Sequence, residues 1–397
     1  MRIFLAIPRS PNPTFASDLW KANLHDPLVA MGHDTVLWDG GTLPLFDLPP
    51  DAPETIPERA RFSEAFLAAV EEANRAGRLD FVLTYVSDSH LEPAAVDRVR
   101  DTMAPIVNFF CNNVHQFHLI RRLAPHFTLN LVPEAEAMAS YRGVGAETHF
   151  FPMAANPDVY RPLETAPRYQ ASFAGQRYAD RASQLLALRE AGIDAHAFGQ
   201  GWTAAAGAGG AAGAGVAQGP RRAGFGRAFE ILLQGRNPFR AAQDRLEWER
   251  LQARHPTALH PPASDREYVA LFSESKISLG FLVLGDTHRM RRPLRQVRLR
   301  EFEAPMAGAF YMTEYLEEIG LHYEIGKEVV CFRSRDELIS LCRYYLAHDE
   351  ERERIRRAGL ARARRDHTWS RRFEDLFAEM RRRGILRDGL SNPRPTP

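Results

Sequence analysis

The chain has 397 residues, 45% of them hydrophobic and 25% charged, with a formal net charge of +1. This length exceeds one ordinary core and leads to two domains of under about 200 residues each, with the composition of a soluble globular protein. No apolar run approaches the roughly 20 residues of a membrane span, so no transmembrane segment is expected. The near-neutral balance and the lack of interleaved aromatics or a binding motif argue against nucleic acid as a partner.

The N-terminus, MRIFLAIPRS, is too short for a signal-peptide core and predicts a first strand at Ile3–Ile7. Apolar runs at Thr35–Trp38, Phe81–Tyr85, Ile106–Phe110 and Phe127–Leu131 read as further buried strands. Helical patterns lie between them near Phe15–Met31, Pro57–Arg75, Pro93–Met103, Val114–Leu123 and Glu134–Tyr141. Alternating strands and helices imply a parallel, doubly wound sheet, because parallel strands need crossovers. The proline-rich stretch 151–169 reads as a linker, placing an N-terminal Rossmann-like domain at 1–155.

A second α/β series starts with a strand, a Gly turn and an amphipathic helix in YQASFAGQRYADRASQLLALREAG, then a strand ending in Gly in DAHAFGQGW. The run 204–220 has no side chain large enough to bury and reads as a flexible insertion. Residues 221–255 read as an Arg-rich helical insertion. The pattern resumes with helix Asp265–Ser275 and strands Ile277–Leu282, Phe310–Thr313 and Val329–Phe332. Helices Arg335–Ala347, Glu350–Arg365 and Ser370–Arg382 close the chain. The second domain is thus expected at 168–368, and the C-terminal helix and tail, 369–397, either cross back to the N-terminal domain or stay with the second. Cys111, Cys331 and Cys342 lie far apart without metal spacing, which suggests a reducing, cytoplasmic setting.

Two doubly wound domains facing a cleft would bind ligands at the carboxyl ends of their strands. After the first strand of the second domain, Gly175 permits a tight turn before a helix N-terminus suited to phosphate, with Arg177 and Arg181 near it. The stretch THRMRRPLRQVRLR, 287–300, carries six arginines and no acid, enough to stabilise a departing diphosphate without a metal. Arg298 and Arg300 are the candidates there. In the first domain, Asp88 and His90 follow one strand, and Asn112, Asn113 and His115 another. Asp88 or His90 is a candidate base for an acceptor hydroxyl, with capping of the next helix as the alternative for Asp88.

The stretch FEAPMAGAFYMTE resembles the nucleotide-ribose motif of glycosyltransferases with the GT-B fold. With SFAGQRYADR, HAFGQGW, SESKISLGF, GKEVVCFRSRDELISLCRYYLAHDEERERIRRAG and HTWSRR, the chain is similar to the CgeB-like (spore maturation protein) glycosyltransferases. The resemblance implies transfer of a sugar from a nucleoside-diphosphate sugar to a glycan, protein or lipid-linked acceptor. The nucleotide sugar would be a co-substrate, with no further cofactor and no metal. Glu303 would hold the ribose hydroxyls, and Gly175 and Gln176 would lie under the diphosphate. Phe198 and Gly199 would border the base, and Gly308 would end the short helix. Arg295 stands where many retaining relatives carry a second Glu, so that donor-sugar contact is not expected. A sugar-nucleotide epimerase and a non-catalytic nucleotide-binding partner protein are the alternatives.

Overall fold

The computed structural model describes residues 1–9, 18–38, 40–203 and 238–386. The Gly/Ala-rich insertion 204–220 and the first part of the helical insertion, 221–237, lie outside them. The described residues form two compact units, one containing those up to Asn156 and those from His367, the other Pro157–Asp366.

The first unit is built on strands β1 (Arg2–Ala6), β2 (Asp34–Trp38), β3 (Phe81–Thr84), β4 (Ile106–Phe109), β5 (Leu129–Val132) and β6 (Thr148–Phe150). They pair in parallel in the order β2-β1-β3-β4-β5-β6. Residues of β3, β4 and β5 are buried throughout, as expected of parallel strands covered on both faces. Helices α1 (Thr55–Ala76) and α2 (Pro93–Thr102) are crossovers. Of the expected helix 15–31, positions 15–17 lie outside the described residues; the rest includes a π-turn at Lys21–His25 leading into Asp26–Ala30. Pro27 lacks the N–H that a continuous α-helix needs, and the wider turn accommodates it.

The second unit holds β7 (Tyr169–Ala174), β8 (Ala195–Phe198), β9 (Leu259–His260), β10 (Ser275–Gly280), β11 (Tyr311–Glu314) and β12 (Val330–Phe332). Its parallel order is β12-β11-β10-β7-β8-β9. Helices α3 (Arg181–Glu190), α4 (Pro238–Arg254), α5 (Asp265–Glu274), α6 (Arg300–Met306), α7 (Arg335–Ala347) and α8 (Asp349–Asp366) belong to it. The core packs Phe173, Leu185, Trp202, Ile277, Phe281, Phe310 and Leu338 around this sheet. Helix α9 (Trp369–Arg382) is part of the first unit, where Trp369 and Phe373 pack on Phe151.

The proline-rich stretch is more than a spacer. Phe151, Met153, Ala154 and Ala155 are buried, as is Tyr160.

Candidate functional site

Read from one edge, the second sheet runs β9-β8-β7-β10-β11-β12, and the winding reverses between β7 and β10. Neighbouring crossovers leave in opposite directions at such a point, which opens a crevice beyond the carboxyl ends of the two strands. The segments entering it are Gly175–Asp180 after β7 and residues 281–299 after β10.

Arg181 ties these segments together. Its Nη1 donates to the Gln176 carbonyl at 2.8 Å, and its Nη2 to the Tyr178 hydroxyl at 2.6 Å and the Phe281 carbonyl at 3.2 Å. Burial, reinforced by Arg300, lowers its pKa to about 9. Arg298 donates to the same Tyr178 hydroxyl, and burial lowers its pKa to about 10. The Arg300 guanidinium lies over the Phe173 ring, 5.0 Å from its centroid. Burial opposes its charge, but Tyr268, Tyr311, Glu301 and Glu303 outweigh that and raise its pKa. A Cβ at position 175 would meet Arg300 Nη2 at 2.7 Å, so glycine is what lets this guanidinium sit against the turn. Gly199 has φ +144, and a Cβ there would lie 2.4 Å from the Gly175 carbonyl oxygen.

Arg168, Arg189, Arg289 and Arg335 each have a carboxylate partner. Among the described residues, no ion pair of this kind reaches Arg177, Arg181, Arg298 or Arg300. Glu301 and Glu303 act on Arg300 only from beyond ion-pair distance, and converging guanidinium groups with no carboxylate in direct contact are the electrostatic signature of an anion site. The N-terminus of α3 adds little, because its N-cap is the acidic Asp180, which makes no capping hydrogen bond. The positive charge expected from that helix end comes from guanidinium groups instead.

Glu303, on α6, is only 4% exposed. Its Oε1 accepts from the Tyr160 hydroxyl at 2.7 Å and its Oε2 from the Tyr268 hydroxyl at 3.3 Å. Burial pushes its carboxyl pKa up to about 7, against the pull of Tyr160 and Arg300. A carboxylate offers about four acceptor sites, so each oxygen retains capacity beside its tyrosine.

Glu301 is buried too, and its bonds serve the fold. Its Oε1 accepts from Tyr311 at 2.7 Å and its Oε2 from the backbone N–H of Arg298 at 2.7 Å, holding the entry to α6. Glu301→Gln is therefore expected to lower the melting temperature by about 3 to 6 °C, for a loss of about 1.5 kcal/mol. Nucleotide affinity measured by calorimetry should stay within about twofold.

Gly308, expected at the site, has φ +78 and ends α6, with its missing Cβ facing Pro162 at 2.8 Å. Its carbonyl accepts from Arg356 at 3.1 Å, so its part is to shape the helix. Phe198 stacks on His260 with centroids 4.2 Å apart and rings inclined by 8°. Gln176 Nε2 donates to Gln200 Oε1 at 3.0 Å, and Arg177 Nε to the Gly201 carbonyl at 2.8 Å.

Asp88 and His90 of the first unit turn inward. Asp88 accepts from the backbone N–H groups of Arg122 at 3.1 Å and Leu123 at 2.9 Å. It therefore caps a turn after β4, not the helix that follows it, and by engaging those groups it interrupts the helix expected at 114–123. Only short helical turns, Asn113–Gln116 and Phe117–Leu119, remain there. His90 is fully buried, with Nδ1 near Ser87 Oγ at 2.8 Å and Nε2 at 2.8 Å from the Thr42 carbonyl. Burial lowers its pKa to about 4. Both nitrogens of His90 and both carboxylate oxygens of Asp88 are thus engaged within the first unit.

Tyr160, Tyr178, Tyr268, Trp202 and Glu314 escaped the sequence reading. Glu314 Oε2 accepts from the backbone N–H groups of Leu282 at 2.5 Å and Val283 at 3.0 Å, anchoring the arginine-rich segment. Its place at the end of a strand was the one available signal. Tyr160 lies 143 positions from Glu303, and no local pattern links them.

Residues 221–378 match the model of a family described as glycosyl transferase-like. Sucrose-phosphate synthase from Thermosynechococcus elongatus superposes with a TM-score of 0.60 at 13% identity, covering 96% of this chain and 99% of that one. HepE from Anabaena, solved with UDP and glucose, superposes at 0.55 with 11% identity, covering 96% and 100%. The fold is that of the GT-B glycosyltransferases. A Listeria monocytogenes protein named for UDP-N-acetylglucosamine 2-epimerase activity also shares it, at 0.52 and 10% identity, covering 97% of each chain. No curated protein matches the chain by sequence. The glycosyl transferase-like region and the GT-B fold together support sugar transfer from a nucleotide-sugar donor. No helix among the described residues is long and apolar enough to cross a membrane.

Proposed function

We propose that the second unit binds a nucleoside-diphosphate hexose and that the protein transfers the hexose to an acceptor nucleophile, as a cytoplasmic enzyme of the CgeB-like group. The observation that carries this reading is the set of guanidinium groups of Arg181, Arg298 and Arg300, none in direct ion-pair contact with a carboxylate among the described residues, where β7 and β10 end. A diphosphate supplies the missing negative charge. As the glycosidic bond breaks, charge grows on the leaving diphosphate, and fixed guanidinium groups stabilise it without reorganising. Glu303 receives the ribose hydroxyls beside, or in place of, Tyr160 and Tyr268. Phe198 and Gly199 border the base, and Gln176 lies under the diphosphate.

Calorimetric titration with UDP, ADP and GDP tests the reading. One of them is expected to bind in the micromolar range, and absence of binding by all three up to millimolar concentration would overturn it. Incubation with the matching nucleotide sugar alone distinguishes the chemistry: epimerised donor in the absence of acceptor would mark an epimerase. Turnover is expected to survive EDTA, because the arginines provide the charge a metal would otherwise bring. Loss of turnover restored by Mg²⁺ or Mn²⁺ would withdraw the leaving-group role from these arginines.

A further inference from the structure

Helix α4 lies outside the alternating α/β pattern, yet its side chains reach both loops that bound the crevice. Asp244 Oδ2 is 2.8 Å from His288 Nε2 and accepts from Arg289 Nε, also at 2.8 Å. Arg240 Nη1 donates to the His288 carbonyl at 2.6 Å. These contacts grip the turn Gly285–Arg289, and the segment after that turn leads to Arg298 and Arg300. One helical turn further on, the Arg177 guanidinium lies over the Trp248 ring at 4.3 Å from its centroid. Trp248 also packs edge-on against Trp202 at 6.1 Å, and Trp202 Nε1 donates to the Gly175 carbonyl at 2.7 Å. Asp244 and Trp248 are four residues apart and so share one face of the helix.

We propose that Asp244 and Trp248 are positioning residues for the donor's diphosphate. Trp248 holds the exposed Arg177 side chain on its indole face, and Asp244 fixes the turn that precedes Arg298 and Arg300. An arginine already held in place loses less rotamer freedom when the anion arrives. The inference rests on the donor reading above and adds a role for a helix that the α/β pattern does not require.

The test uses the full chain with UDP, ADP and GDP, taking forward the tightest. Trp248→Leu keeps apolar packing against Trp202 but removes the aromatic face, and the Kd is expected to rise about 3- to 10-fold. Trp248→Phe restores a face and should return the Kd to within about twofold of wild type. The nucleotide-induced change in tryptophan emission should shrink in Trp248→Phe, where Trp202 is the remaining reporter beside Gly175, although binding persists. Asp244→Asn, which removes the charge facing Arg289, should also raise the Kd at least about threefold. A purely structural role would lower the melting temperature of the Leu and Phe variants without separating their affinities. Leu and Phe variants of equal affinity would overturn the role of Trp248, and unchanged affinity in Asp244→Asn that of Asp244. If wild type binds no nucleoside diphosphate, the donor reading falls as well; if it binds and the variants are silent, only this inference falls.

Discussion

Arg298→Met is expected to weaken nucleoside-diphosphate binding by about 30-fold or more while the free protein melts no lower than wild type. Removing one partner of a largely desolvated charge pair costs about 2 to 5 kcal/mol, most of it from the partner left unpaired. In the free protein the balance has the opposite sign. Burial lowers the Arg298 pKa to about 10, which means that the surroundings disfavour its charge. Methionine of similar reach can pack on the Tyr178 ring, and Arg181 still donates to the Tyr178 hydroxyl. The charge is held for a ligand at the expense of stability, as binding sites often are. Calorimetry and thermal melting on one preparation check both halves. A lowered melting temperature with unchanged affinity would show that Arg298 serves the fold.

Glu303→Gln is expected to reduce nucleotide affinity about 10- to 150-fold, the value of a charge-assisted hydrogen bond of about 1.5 to 3 kcal/mol. It should also remove a pH dependence of stability. The folded carboxyl has a pKa near 7 against an ordinary 4.5, so between those values the folded state binds the extra proton. Stability therefore falls as pH rises from about 4.5 to 7, and above that range the buried charge costs about 3 kcal/mol. The amide carries no such charge and can still bond both tyrosines. The variant should melt close to wild type near pH 5 and about 6 to 12 °C higher at pH 8. Wild-type affinity should fall below pH 7 as the carboxylate protonates. The variant supplies the control, since it retains the titration of the phosphate. Equal affinities of the two proteins at pH 8 would remove Glu303 from the ribose.

Strands β3, β4 and β5 were legible because parallel strands buried on both faces appear as short apolar runs. The edge strand β2 was legible because Val36, Leu37 and Trp38 form such a run without full burial. Helix α7 at Arg335–Ala347 was legible because of its amphipathic period. Strands β6 and β9 escaped because THF and LH are short edge strands with no apolar run to mark them. The helix expected at 114–123 failed for a different reason: the Asp88 carboxylate, 34 and 35 positions earlier, takes the backbone N–H groups of Arg122 and Leu123. A distant acceptor won over local propensity.

The candidate site divides along the same line. By itself, the sequence determined two alternating α/β series, and it placed Gly175, the arginine run and Glu303 on segments that follow strands. Each of those features is written in local periodicity, glycine placement or the residues of one short motif. Only the tertiary structure decided that Arg181, Arg298 and Arg300 converge with no carboxylate in direct ion-pair contact and that Asp88 and His90 are buried in the first unit. It alone set Glu303 between Tyr160 and Tyr268 and raised its pKa. Periodicity records which face of an element is buried, whereas charge pairing and desolvation depend on distances between segments more than a hundred residues apart.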